Sequence, residues 1–313
     1  MKILFWGTPR EAVPFLEACA DRHAVVGAVT RPPRPSGRGL QVRPSPVEEA
    51  ARNLGIPVFQ PSVPGELLPE MNRLAPDICV VVAYGKILKP DVLASARKGF
   101  MNVHFSLLPK FRGAAPVPWT LIRGEDKAGV TLFWLDEGMD TGPVQSALEV
   151  PVGPDENAVE LMRGLIEAGR GLLRETLEDI SRGSIRREPQ TGEASLAPKL
   201  TRADARVDFN VPARDLHNRV RGLAMGPRAF LPLAGGDVAI LRTAVEPDSP
   251  APSDASPPGT IARVERGRGV LVQCASGRIR LIDVQPEGKR QIQAADFANG
   301  LRLGAGGRFC FHG

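Results

Sequence analysis

Asp77-Ile78-Cys79-Val80-Val81-Val82-Ala83 is the stretch that decides the fold. Its apolar run has no alternation. A strand built from it is covered on both faces, as in a parallel sheet flanked by helices. Working outward, residues 2–6 form a second apolar run, closed by Gly7-Thr8-Pro9. Ala12, Phe15, Leu16 and Cys19 then recur at helical spacing. Residues 24–29, 56–59, 100–105 and 130–135 read as further strands. Ser45-Pro46-Val47-Glu48 opens a helix with a cap, a proline in the first turn and an acid. Residues 156–180 carry Val159, Leu161, Leu165, Leu172, Leu173 and Leu177 as the apolar face of a long helix. Strand alternating with helix predicts an α/β class: a doubly wound, Rossmann-like domain over residues 1–182.

The second half reads differently. Residues 183–204 are polar and Arg-rich, which predicts a linker. Short strand-like runs follow at 229–233, 237–243, 259–265, 269–274 and 278–284, separated by Gly-Gly, Pro-Gly and Ser-Gly turns. This pattern predicts a smaller OB-like β-barrel domain over 205–313. Residues 246–258 are low-complexity and rich in Pro, Ser and Asp, which predicts a mobile loop.

The chain has 313 residues, 42% hydrophobic and 24% charged, so a sizeable core forms and wholesale disorder is excluded. Gly 33 and Pro 30 together argue for many turns. Of the 40 basic residues 8 are Lys and the rest Arg, against 35 acidic, for a net charge of +5. That balance fits a polyanionic partner such as nucleic acid, and equally an Arg-rich proteome. Cys19, Cys79, Cys274 and Cys310 show neither CxxC nor metal-ligand spacing. Reduced thiols, a cytoplasmic location and no metal are expected. No apolar run reaches the roughly 18 residues of a membrane span, and the first run is too short for a signal peptide.

Several residues can carry chemistry. Asn102 and His104 lie two apart on a predicted strand and so share a face, at the strand end where open α/β sheets bind ligands. A hydrogen-bonded pair closing a strand is the bland alternative. Asp136, Glu137 and Asp140 sit in the turn Leu135-Asp-Glu-Gly-Met-Asp-Thr-Gly142. One of them can orient His104 if the two loops meet, while Asx-turn bonding explains such acids without function. Gly7-Thr8-Pro9 can offer amides to an anion, although it lacks G-x-G-x-x-G spacing. Arg31, Arg34, Arg38 and Arg43 line a Pro/Gly loop that can clamp phosphates, or simply be solvated. That loop has few apolar residues to bury and is expected to be mobile without a partner. His217, on a predicted helix face beside Arg219, reads as structural.

Asn102-x-His104-x-Ser106-Leu107-Leu108-Pro109-x-x-Arg112-Gly113, followed by Asp140-Thr141-Gly142, resembles the signature of folate-dependent formyltransferases. The whole-chain layout is most similar to the branch that formylates initiator methionyl-tRNA. Gly7-Thr8-Pro9, the 34–39 loop, Ala83-Tyr84-Gly85, Ala197-Pro198-Lys199-Leu200-Thr201 and Gln285-Pro-Glu-Gly-Lys289 carry that similarity. The resemblance implies 10-formyltetrahydrofolate as formyl donor and initiator Met-tRNA as acceptor and partner. The chain is expected to be a monomer with no membrane partner. It implies Asn102, His104 and Asp140 as catalytic residues. Ser106, Leu107, Leu108, Pro109, Tyr84, Gly85, Ile87 and Leu88 would bind the folate. Arg34, Arg38 and Arg43 would meet the tRNA, and Glu11 would sit at the methionine pocket.

Three departures bear on the acceptor. Glu11 stands where the family usually has Phe, Pro33 where it has Asp, and Ala224-Met-Gly-Pro-Arg228 where it has Asn-Pro-Trp-Pro-Gly. An amino-sugar nucleotide or water is the alternative acceptor, the latter making a 10-formyltetrahydrofolate hydrolase. A nucleic-acid-binding protein with a dead enzyme domain is a third reading, and the joint presence of Asn102, His104 and Asp140 weighs against it.

Overall fold

The computed structural model describes residues 1–33, 35–36, 41–233, 235–246 and 256–309. Two compact units emerge. One comprises Met1–Gly113, Ala128–Val150 and Arg163–Leu196; the other comprises Ala114–Lys127, Pro151–Met162 and Ala197–Gly313.

The first unit begins with β1 (Lys2–Gly7), α1 (Val13–Ala20) and β2 (Ala24–Val29). The two-residue strands β3 (Pro35–Ser36) and β4 (Gln41–Val42) pair antiparallel. Next come α2 (Pro46–Asn53), β5 (Val58–Phe59), α3 (Leu68–Leu74), β6 (Ile78–Val82), α4 (Pro90–Leu93) and β7 (Phe100–His104). After α5 (Pro116–Ile122), of the second unit, follow β8 (Lys127–Trp134), β9 (Val144–Pro151) and α6 (Ala158–Ser181). The capping read from sequence at Ser45 is present, since its side chain accepts a bond from the Glu48 amide at 3.1 Å.

Seven strands form one sheet in the order β5-β2-β1-β6-β7-β8-β9. The pairs β5/β2, β2/β1, β1/β6 and β6/β7 are parallel, and β7/β8 is antiparallel. The doubly wound architecture is therefore present, with an antiparallel edge. The order reverses between β1 and β6, which puts the ligand-binding crevice of such sheets at their carboxyl ends.

Register explains where polarity enters. Leu4 pairs with Cys79, Trp6 with Val81, Cys79 with Phe100, and Val81 with Asn102. One face thus reads Leu4 and Trp6, then Cys79 and Val81, then Phe100, Asn102 and His104. Its first members bury in one core cluster with Met71 and Tyr84. Trp6 packs edge-on to Tyr84 at 5.1 Å between ring centroids and meets Phe100 at 5.8 Å. The same face becomes polar only where β7 ends.

The second unit holds α7 (Ala213–Gly222), β10 (Phe230–Leu233), β11 (Gly236–Val245), β12 (Ile261–Glu265), β13 (Gly269–Gln273), β14 (Arg278–Pro286), β15 (Ile292–Gln293) and α8 (Ala294–Gly300). Its antiparallel sheet runs β10-β11-β14-β13-β12, with β15 on β14. The five runs read from sequence coincide with β10 to β14. Most of residues 246–258, expected to form a mobile loop, lie outside the described residues. Cys19, Cys79 and Cys274 are buried free thiols, and Cys310 lies outside the described residues. No helix among the described residues is long and apolar enough to cross a membrane.

Candidate active site

His104 closes β7 and is buried. Its cross-strand neighbour is Thr131 on β8, and Phe133 lies edge-on to the imidazole at 6.2 Å. His104 Nε2 lies 2.9 Å from the Phe111 carbonyl oxygen. A carbonyl only accepts, so the proton of the neutral ring belongs on Nε2. Nδ1 is then bare, and it faces Asp140 Oδ2 at 3.7 Å. Burial pushes the His104 pKa down, against the opposing pull of Asp140 and of the Phe111 carbonyl. The neutral imidazole is therefore the form present near pH 7.

Asp140 is aimed from the opposite loop. Its backbone adopts a left-handed φ of 55°, and its Oδ2 accepts the Gly113 amide at 2.7 Å. The following Thr-Gly has a steric reason. A Cβ on Gly142 would overlap the Trp134 carbonyl oxygen, so the loop closes on β8 only with glycine there. The neighbouring acid is spent differently: Asp136 Oδ1 accepts the Gly138 amide at 3.0 Å and the Thr141 hydroxyl at 2.7 Å. Asp136 thus follows the Asx-turn reading and Asp140 the orienting one.

Asn102 shares the His104 face one pleat earlier and is half-buried. Among the described residues its side-chain amide has no hydrogen-bond partner. A donor left open beside a buried His/Asp pair fits a ligand that brings a carbonyl oxygen.

The loop after β7 is internally braced. Ser106 Oγ donates to the Lys110 carbonyl at 2.6 Å, and Thr131 Oγ1 donates to the Ser106 carbonyl at 2.7 Å. Thr131 Oγ1 also accepts the Leu108 amide at 3.2 Å. Leu107 and Leu108 are half-buried, and the Leu108–Pro109 peptide is cis. The loop after β6 meets the first turn, where Thr8 Oγ1 donates to the Tyr84 carbonyl at 3.3 Å. Gly7 permits that approach, since a Cβ there would crowd Ala12 and the Val82 carbonyl.

The residues expected to bind folate in this loop divide. Tyr84 and Leu88 point into the core, and burial lifts the Tyr84 hydroxyl pKa to about 12. Gly85 lies on the surface with φ 79°, and Ile87 is 88% exposed. Glu11 is half-buried in a short 3-10 turn, Arg10–Ala12, after the first loop. Arg43 is exposed, whereas Arg34 and Arg38 lie outside the described residues. So does the expected mobility of their loop.

Sequence reasoning missed Gln190 and Ser195. Gln190 Nε2 donates to the Asp140 and Gly142 carbonyls, both at 2.8 Å, and its Oε1 accepts from Arg112 Nη2 at 2.6 Å. Ser195 Oγ accepts the Phe111 amide at 2.9 Å. Both lie in residues 183–204, which read as linker. His217 is structural as expected: in the second unit it bonds Thr243 Oγ1 at 3.0 Å and the Pro154 carbonyl at 3.2 Å. No group of three or more His, Cys, Asp or Glu is placed to hold a metal among the described residues.

An Asn-x-His strand end facing an Asp loop on a doubly wound sheet defines a class that comparison with known proteins makes explicit. Residues 1–177 match the family described as formyl transferase, and residues 199–302 match the formyl transferase C-terminal domain. The chain belongs to the formyl transferase family. It is 42% identical over 310 residues to the methionyl-tRNA formyltransferase of Thermus thermophilus, covering 98% of this chain and 99% of that protein. It is 41% identical over 310 residues to the methionyl-tRNA formyltransferase of Sorangium cellulosum, covering 98% of each.

Solved structures share the fold at much lower identity. The N-formyltransferase of Helicobacter canadensis, in complex with folinic acid and dTDP-3-aminofucose, matches with a TM-score of 0.67 at 18% identity. That match covers 90% of this chain and 98% of that one. HypX of Aquifex aeolicus, in complex with tetrahydrofolic acid, matches with a TM-score of 0.64 at 18% identity, over 97% of this chain and 48% of that one.

Proposed function

We propose that this protein transfers a formyl group from 10-formyltetrahydrofolate to the α-amino group of initiator methionyl-tRNA, in the cytoplasm, for translation initiation. The observation that carries the chemistry is the bare, buried His104 Nδ1 facing Asp140 across 3.7 Å. The near-full-length identity to methionyl-tRNA formyltransferases supports the acceptor.

In this reading the amine nitrogen bonds to the formyl carbon and the carbonyl oxygen becomes an oxyanion. Asn102 donates its free amide to that oxygen, an interaction typically worth about 10²–10³ in rate. His104 has its only proton held by the Phe111 carbonyl, so Nδ1 accepts rather than donates. The His104–Asp140 pair takes up the amine proton, which leaves on the folate nitrogen as the C–N bond to the donor breaks. Sharing that proton requires Nδ1 and Oδ2 to close from 3.7 Å to hydrogen-bond distance.

The donor is held along the post-β7 loop by Ser106, Leu107, Leu108 and Pro109. Gly85 and exposed Ile87 cover it, and Tyr84 and Leu88 shape that loop from below. Arg34, Arg38 and Arg43 meet the acceptor stem, with the second unit as a further tRNA surface. Glu11 borders the aminoacyl group. The reading is tested by offering purified protein 10-formyltetrahydrofolate with Met-tRNA, a dTDP-amino sugar and water as parallel acceptors. Formylation of Met-tRNA at a rate far above the other two is the expected result. Formate release or sugar formylation without formyl-Met-tRNA overturns it.

A further inference from the structure

The face that presents Asn102 and His104 does not by itself fix Asp140, which lies on a separate loop in a left-handed conformation. A non-glycine residue at positive φ is disfavoured and persists only where its surroundings hold it. Gln190 supplies the hold. Its amide nitrogen donates to the carbonyls of Asp140 and Gly142, flanking Thr141, and its amide oxygen accepts from both Arg112 Nε at 3.2 Å and Nη2 at 2.6 Å. Arg112 sits between Phe111, whose carbonyl takes the His104 proton, and Gly113, whose amide holds the Asp140 carboxylate. One side chain therefore bolts the loop that carries the carboxylate to the loop that orients the imidazole.

The segment around Gln190 is itself anchored. The Glu188 and Val144 backbones exchange two bonds at 2.7 and 3.0 Å, and the Arg186 amide donates to Gln145 Oε1 at 2.9 Å. At the other end Ser195 accepts the Phe111 amide through its hydroxyl, and the Arg112 amide through its carbonyl at 2.8 Å. These bonds span 41 to 84 residues of sequence. All of these residues belong to the same compact unit.

We propose that Gln190 is a positioning residue for the His104–Asp140 pair, with Ser195 supporting the same loop, so that the stretch after α6 acts as a brace on the reaction site. This inference rests on the reading of His104 and Asp140 as the proton-accepting pair. Gln190 bonds the Asp140 and Gly142 carbonyls and the Arg112 guanidinium, and it acts by keeping Asp140 Oδ2 opposite Nδ1. Small misplacements of a reacting group can cost about 10²-fold in rate.

The test compares wild type with Gln190→Met, which removes every side-chain bond at similar length. Gln190→Glu is the second variant, since it keeps the acceptor for Arg112 and loses both donors to the Asp140 loop. Formyl transfer to Met-tRNA is measured as kcat and KM separately, and His104 is titrated by NMR in the free protein. Both variants are expected to lose about 10- to 10²-fold in kcat with KM little changed. His104 is expected to titrate away from its wild-type value, and downward in Gln190→Met, because the carboxylate that opposes its burial has moved away. Wild-type kcat together with wild-type His104 titration in either variant overturns the proposal. If Gln190→Met does not fold, Gln190→Glu carries the comparison. If wild type fails to formylate Met-tRNA, the functional reading falls, and the His104 titration alone decides whether Gln190 positions the pair: a shift upholds it, and no shift overturns it.

Discussion

His104 and Asp140 face each other at 3.7 Å, each already committed elsewhere: the imidazole to the Phe111 carbonyl, the carboxylate to the Gly113 amide. Nδ1 is left bare, and it faces Oδ2, the same carboxylate oxygen that accepts the Gly113 amide. Gly113 and Asp140 stand 27 residues apart in sequence, their two loops meet here, and each member has an identifiable support.

Asp140→Asn removes the charge and retains the shape. The amide still accepts the Gly113 N–H through its oxygen, so the fold is expected to persist. Turnover is expected to fall about 10²–10⁴-fold, the usual range for loss of acid–base catalysis. The His104 pKa is expected to drop further, because Asp140 is the charge that pulls it upward against burial. Steady-state kinetics and NMR titration of the imidazole check both, and unchanged turnover contradicts the pairing.

Asn102→Ala separates chemistry from stability. The side chain has no internal partner among the described residues, so its loss leaves no unpaired buried group. Turnover is expected to fall about 10²–10³-fold. The urea midpoint is expected to stay near wild type, within the roughly 0.5 kcal/mol typical of substitutions away from such features. A large stability loss with normal turnover would assign Asn102 a structural role.

Stability is expected to decline with acidification before the carboxylates titrate. Burial depresses the pKa of His104 and of His217, the latter against the Pro154 carbonyl and Asp155 and with help from Arg221 and Arg214. Both then lie below the unfolded value of about 6.5. Above that pH neither state is protonated and the contribution is complete. As pH falls below it the unfolded chain binds protons that the folded chain refuses, and stability drops toward the folded pKa values. Urea midpoints between about pH 7.5 and 5.5 are expected to decrease, and His104→Asn is expected to reduce the slope. A flat or rising profile contradicts the direction of these shifts.

Gly142→Ala tests the packing that seats the catalytic loop. The added methyl meets the Trp134 carbonyl, a backbone atom that cannot rotate away. A loss of about 1–3 kcal/mol is expected from overpacking, with a fall in turnover as Asp140 shifts. Denaturant unfolding and kinetics on the same variant check this, and a neutral substitution refutes it.

Much of this was legible in sequence because it is local. The apolar run 78–82 has burial on both faces, and Asn102 and His104 share a face by strand period alone. The Asp-Thr-Gly motif named Asp140, whereas the turn read residue by residue left Asp136, Glu137 and Asp140 open, and only tertiary hydrogen bonding shows how Asp136 and Asp140 differ. Tyr84 and Leu88 show the limit of a motif, which marks a loop without saying which side chains turn inward. β9 escaped notice because half its residues face solvent and its pattern is weak. Gln190 and Ser195 were invisible for a different reason. They stand in a polar stretch with no periodicity, and the partners of their side chains lie 48 to 84 residues away.

The most direct test of formyl transfer through this site is a single-turnover reaction of the protein with 10-formyltetrahydrofolate and initiator Met-tRNA, read by mass spectrometry of the released aminoacyl product. Formylmethionine is expected from wild type, with near-complete loss in Asp140→Asn at the same time point. Absence of formylmethionine from wild type, or undiminished product from the variant, would contradict it.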